Sequence, residues 1–92
     1  MKFEWDPDKA KRNWRDHRTS FSEAASVFPD PLSITDVDPD HSLDENRYII
    51  VGRSENDRLL MVAHAHRGDT IRIISARTLT PRERKQYEEG TQ

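Results

Sequence analysis

Ninety-two residues bound a single domain, residues 1–92, because a chain this short buries only about 60 to 65% of its unfolded surface and leaves no room for a second core. Hydrophobic residues are 33% and charged residues 35%, which is polar for a globular protein, yet the apolar residues gather in short periodic blocks that argue for a folded chain. The formal net charge is −2 and there is no cysteine, which excludes disulfides, thiol catalysis and sulfur-ligated zinc.

Phe3-Glu4-Trp5 predicts a short first strand. Asp6-Pro7 then starts a helix, with Asp6 placed to cap free amides and Pro7 suited to the first helical position. Trp5 and Ala10 stand at the positions of a hydrophobic staple. The helix is expected to reach about His17, with Ala10 and Trp14 on its apolar face and Trp5 and Trp14 in the core. Ser20-Phe21-Ser22-Glu23 reads as a capping box opening a second helix, on which Phe21, Ala24, Ala25 and Phe28 share one face. Pro29 and Pro31 end it.

Leu32 to Thr35 is expected as a short edge strand, followed by an acidic loop from Asp36 to Glu45. Three β-rich runs come next, Arg47 to Gly52, Leu59 to His66 and Thr70 to Arg77. They are separated by the polar turns Glu55-Asn56-Asp57 and Arg67-Gly68-Asp69, so antiparallel hairpins follow. Thr80-Pro81-Arg82-Glu83 combines a capping box with a proline at the first helical position, predicting a last helix from Pro81 to about Glu89. The predicted order is β-α-α-β-β-β-β-α, an α+β domain with helices on a twisted, mostly antiparallel sheet. No apolar run approaches a membrane span, and the opening Met1-Lys2-Phe3-Glu4-Trp5-Asp6 lacks the apolar core of a signal peptide. A soluble cytoplasmic protein is therefore expected.

Charge is unevenly spread. Asp16 to Asn46 holds eight acidic residues and one basic residue, Arg18, whereas Arg58 to Lys85 holds seven basic residues and two acidic ones. A polyanion would feel such a local basic surface more than the near-neutral total. Arg72 and Arg77 lie inside the apolar run Ile71-Arg72-Ile73-Ile74-Ser75-Ala76-Arg77. Arginine grips phosphate through two parallel hydrogen bonds, but strand alternation sends these two to opposite faces unless a bulge intervenes. Pairing of each with a carboxylate such as Glu83 is the structural alternative.

His64 and His66 point to one face of a strand, which suits acid/base work near neutral pH or, with His41 or a carboxylate, a metal site. A half-buried pair at a strand end is the structural alternative, and it is preferred to a metal site. Tyr87 shares a helix face with Glu83 and Arg84, either as a proton donor or as an amphipathic core residue. Lys9, Arg12 and Arg15 form a basic helix face. The acidic loop around Asp36, Asp38, Asp40, Asp44 and Glu45 does not match an EF-hand. There is no phosphate-binding glycine loop, nucleophile elbow or dinucleotide signature, so no cofactor is expected.

Taken in order, several segments resemble the BrnT family of RelE-like toxins. They are Phe3-Glu4-Trp5-Asp6 with Lys9 and His17, Phe21-Ser22-Glu23-Ala24-Ala25 with Val27-Phe28 and Asp30-Pro31, and His41-Ser42 with Glu45 and Arg47. Val51-Gly52-Arg53-Ser54, Arg67-Gly68, the run Ile71 to Arg77, and Glu83-Arg84 with Tyr87 complete the likeness. The resemblance implies a compact RelE-like fold and metal-independent RNA cleavage that arrests translation. It also implies neutralisation by a BrnA-like ribbon-helix-helix antitoxin, with which the toxin would bind operator DNA and repress its own operon. Arg67, Arg72 and Arg77 are the expected phosphate binders, His64, His66 and Tyr87 the expected proton-transfer groups, and Lys9 and Arg84 the expected RNA-binding support. A degenerate relative that keeps only antitoxin binding, and a metal-dependent nuclease using His64 and His66, are the rival readings.

Overall fold

The computed structural model describes residues 1–39 and 46–90. His41, and with it Asp40, Ser42, Asp44 and Glu45, lies outside the described residues. The elements run β1 (Lys2–Glu4), α1 (Pro7–His17), α2 (Phe21–Ala25), β2 (Ile34–Val37), β3 (Arg47–Arg53), β4 (Leu59–Arg67), β5 (Thr70–Thr78) and α3 (Pro81–Gly90). The strands form one sheet in the order β1-β5-β4-β3-β2. β1 pairs with β5 in parallel, and all other neighbours are antiparallel.

Local chemistry explains most boundaries. The Asp6 carboxylate accepts the Asp8 amide at 2.8 Å, and α1 ends on Arg18, whose left-handed backbone (φ 49°) returns its amide to the Trp14 carbonyl. Thr80 and Glu83 close a full reciprocal box, Glu83 N–H to Thr80 Oγ1 at 3.2 Å and Thr80 N–H to Glu83 Oε1 at 2.9 Å. The box at Ser20 is only half made. Ser20 Oγ accepts the Glu23 amide at 3.0 Å, but the Glu23 side chain leaves for Ser54 and Arg58. α2 also stops at Ala25, before the prolines, because tighter three-residue bonds from Ser26, Val27 and Phe28 replace the helical ladder. The edge strand β2 begins two residues later than predicted, at Ile34.

The core lies where α2 and its following turn, through Phe21, Ala24 and Val27, meet Ile50, Leu60, Val62, Ile73 and Ala76. Neither tryptophan belongs to it. Trp14 is 50% exposed and Trp5 36%. α1 instead buries Asn13, because β5 runs past the end of the three-residue β1 and leaves a bare edge. The Asn13 amide satisfies that edge like a strand, donating to the Ala76 carbonyl at 2.8 Å and accepting the Ala76 amide at 3.1 Å. It also donates to the Thr19 carbonyl at 2.9 Å. Centring the helix on Asn13 turns Trp14 outward, where the Arg18 guanidinium lies 5.6 Å from its ring centre.

One irregularity positions the site. Ala63 pairs with Ser75 and His64 with Ile73, so Ile74 is an extra residue in β5. This bulge reverses the alternation beyond it. Ile71, Ile73 and Ala76 consequently all face the helices α1 and α2, while Arg72, Ser75 and Arg77 face the other way.

Candidate active site

The face opposite the main core carries Arg72, Ser75 and Arg77 from β5, Ala63, Ala65 and Arg67 from β4, and Arg47 from β3. Register places Arg72 and Arg47 on either side of Ala65, with Glu4 of β1 beyond Arg72. Small side chains at Ala63, Ala65 and Ser75 thus floor a strip framed by guanidinium groups. α3 covers the other half of this face, where Tyr87, Glu83 and Gln86 line a hollow with Ile34, Ile49, Val51 and Met61.

The arginines on this face differ in freedom. Arg77 is clamped to α3. Its Nη1 and Nη2 reach Glu83 Oε1 and Oε2 at 2.7 and 2.9 Å, a bidentate pair that fixes the guanidinium plane. The Arg77 bonds, helped by the Thr80 amide, hold the Glu83 carboxyl well below its ordinary value, at about 2. Arg72 is loosely held, with Nη1 3.4 Å from Glu4 Oε2 and both side chains partly exposed. Arg67 is exposed at the end of β4.

The histidines are elsewhere. His64 faces the helices, 1% exposed, with its ring edge-on to Phe28 at 4.8 Å and its Nδ1 3.2 Å from the Val62 carbonyl. Burial pushes its pKa down, favouring the neutral ring. His66 lies on the same side, at the open end of the strand, 5.3 Å from His64 and 4.9 Å from Tyr48 between ring centres. The sheet therefore separates both imidazoles from the arginines. Among the described residues no group of three His, Asp or Glu side chains could hold a metal ion.

Tyr87 shares the arginine face but is tied down, its hydroxyl donating to the Leu32 carbonyl at 2.9 Å. Burial and nearby Asp30 push its pKa up. Lys9 lines a separate hollow on α1 with Arg12, His17 and Ile74. Arg84 lines a cleft at the end of the sheet. Of the residues singled out in the sequence, the structure puts Arg67, Arg72 and Arg77 on one face, with Arg67 and Arg72 near one end and Arg77 toward the other. It leaves His64, His66, Lys9 and Arg84 apart from them and holds Tyr87 under α3. Glu4 and Arg47 join the arginine face unannounced, because only strand pairing reveals that they flank Arg72 and Ala65.

The chain superposes on the crystal structure of the Brucella abortus ribonuclease toxin BrnT with a TM-score of 0.69 at 18% identity, covering 87% of this chain and 97% of that one. No curated protein sequence matches it. Residues 5–83 match the family described as the ribonuclease toxin BrnT of type II toxin–antitoxin systems, and the chain belongs to that family. A toxin of this kind works opposite an antitoxin partner. Among the described residues no helix is long and apolar enough to cross a membrane.

Proposed function

We propose that this chain cleaves RNA without a metal, on the sheet face that carries Arg67 and Arg72, and thereby inhibits translation in the cytoplasm. The observation that supports this most is the bulge at Ile74, which turns Arg72 onto the same face as Arg67 and Arg77, above a floor of small side chains. We read the fold as RelE-like, with a BrnA-like ribbon-helix-helix antitoxin neutralising the toxin and binding operator DNA with it to repress the operon.

Arg67 and Arg72 grip the non-bridging oxygens of the scissile phosphate. The neighbouring 2′-hydroxyl oxygen attacks phosphorus, its proton passes to the Glu4 carboxylate beside Arg72, and the bond to the 5′-oxygen breaks. That oxygen takes a proton from solvent, and a 2′,3′-cyclic phosphate remains. The attack is intramolecular, so holding the groups in line supplies much of the rate. Fixed guanidinium groups stabilise charge on the phosphoryl oxygens, each worth about 3 kcal/mol, roughly a hundredfold. Arg77 positions this face by anchoring α3 rather than by touching RNA. His64, buried in the core, and His66, beside Tyr48, take no part in proton transfer. Inducing the chain in a bacterial host and mapping RNA ends tests the reading. Growth arrest with new cyclic-phosphate ends supports it, and intact RNA with folded, antitoxin-free protein overturns it in favour of a non-catalytic antitoxin-binding module.

A further inference from the structure

A second basic feature lies where β3 ends, β4 begins and α3 starts. Arg53, Arg58 and Arg84 line one cleft of about 280 Å³, together with Asp57, Leu59 and Thr78. Each guanidinium has a carboxylate partner, but the three pairs are unequal. Arg58 is held rigidly. Its Nε and Nη2 bind the buried Glu23 carboxylate at 2.9 and 2.6 Å, and Nη2 also donates to the Arg18 carbonyl at 3.2 Å. Its Nη1 makes no hydrogen bond to the described residues, which leaves that edge for an incoming anion. Arg53 and Arg84 make exposed pairs, with Asp57 at 3.5 Å and Glu88 at 3.2 Å. Exposed pairs of this kind contribute little and exchange readily for a better acceptor. Phosphate is such an acceptor, since it suits the planar fork of arginine.

The cleft adjoins the arginine face. Thr78, on its wall, follows Arg77, which donates to the Thr78 carbonyl at 3.2 Å. The cleft lies six residues along β5 from Arg72, roughly 20 Å, so a strand that skirts the edge of α3 reaches it within a few nucleotides. On its far side, Arg18, whose carbonyl holds Arg58, lays its guanidinium over the half-exposed ring of Trp14. An exposed aromatic ring beside a phosphate site is a stacking surface for a base.

We propose that the Arg53–Arg58–Arg84 cleft is a backbone-phosphate subsite for single-stranded RNA flanking the scissile bond, with Trp14 stacking an adjacent base. The proposal rests on the reading of RNA as the substrate. It fixes where the strand goes after leaving the arginine face, and it distinguishes Arg58, a preformed anchor, from Arg53 and Arg84, which swing from carboxylate to phosphate.

The test is the binding of a fluorescent 2′-O-methyl RNA of roughly a dozen nucleotides, which cannot be cleaved because its 2′-oxygens are blocked. Anisotropy titrations over a range of salt compare wild type with the Arg53→Ala/Arg84→Ala double variant. Loss of two phosphate contacts lowers the slope of log affinity against log salt by about 1.4, at about 0.7 per contact for single strands, and weakens binding about tenfold. Asp57→Asn provides a second, opposite readout. Asp57 has a left-handed backbone (φ 60°) that asparagine tolerates well, so the fold is kept while a negative charge leaves the cleft. Binding should tighten severalfold.

Unchanged affinity and slope in the double variant overturn the proposal, as does weaker binding by Asp57→Asn. So does a result in which the double variant loses affinity only for a polyglutamate peptide, which would assign the cleft to an acidic protein segment. Cleavage of natural RNA by wild type is scored separately. Cleaving protein with unaltered binding in the variant defeats the cleft alone. Binding lost in the variant while wild type never cleaves defeats the ribonuclease reading and leaves the cleft standing.

Discussion

Arg77 provides a sharp test of which arginines hold structure and which hold substrate. Arg77→Ala removes both bonds to Glu83, at 2.7 and 2.9 Å, and with them the tie between β5 and the first turn of α3. The side chains are 37% and 27% exposed, so the pair lies between surface pairs, worth under ~1 kcal/mol, and buried pairs, whose breakage costs about 3–5 kcal/mol. A loss of about 2 kcal/mol follows. In a domain this size each kcal/mol moves Tm by about 4–8 °C, so the variant should melt roughly 8–16 °C lower by circular dichroism. Acid gives an independent check. The folded Glu83 carboxyl sits at about 2, below its ordinary value of 4.5, so its stabilisation is full above about pH 4.5 and is lost as pH falls toward 2. Wild type should lose Tm across that window, and Arg77→Ala should lose less. A variant that melts within two degrees or so of wild type yet fails to cleave RNA would refute the clamp and return Arg77 to the phosphate.

Two further outcomes follow from buried polar groups. Glu23 is almost fully buried and binds Ser54 at 2.6 Å and Arg58 at 2.6 and 2.9 Å. The Arg58 hydrogen bonds hold its carboxyl below the ordinary range against the effect of burial, so Glu23→Ala should cost about 3–5 kcal/mol in urea unfolding at neutral pH and relatively less in acid. His64→Leu should leave RNA cleavage within about twofold. It should also remove the destabilisation that wild type suffers below about pH 6.5, because the unfolded imidazole takes up a proton there while the buried one, its pKa lowered, resists it. Activity profiles and melts across pH 5–7 check both parts.

Much of the architecture was legible because it is written locally. Asp6-Pro7, Ser20 and Thr80-Pro81 are capping signals that act over three or four residues, and the three long strands carry their own β-rich runs. What escaped was non-local. Trp14 looked like core by helical spacing, but the bare edge of β5 recruits Asn13 instead, and no pattern within α1 announces a partner 63 residues away. Glu23 looked like a cap and serves as the buried anchor of Arg58, 35 residues on. The pairing of Arg77 with Glu83 could be named from sequence because the two are six residues apart. The face of Arg72 could not, since the run Ile71 to Arg77 is equally apolar with or without a bulge. The extra residue also takes Arg72 off the face of His64 and His66, and simple alternation keeps Arg67 and Arg77 off it, which is why a group of candidates that looked like one site is divided by the sheet. Arg53 and Arg58 were passed over because they flank a polar turn, where arginines read as ordinary solvated surface.

The most direct measurement compares wild type and Arg72→Ala, purified free of antitoxin, for cleavage of RNA in EDTA, with the product ends and the melting temperature recorded on the same samples. The account expects wild type to leave 2′,3′-cyclic phosphate ends, and Arg72→Ala to be slower by roughly a hundredfold with Tm nearly unchanged, since its pair with Glu4 is long and exposed. Cleavage by Arg72→Ala at the wild-type rate, or cleavage that stops when metal is chelated, would contradict it.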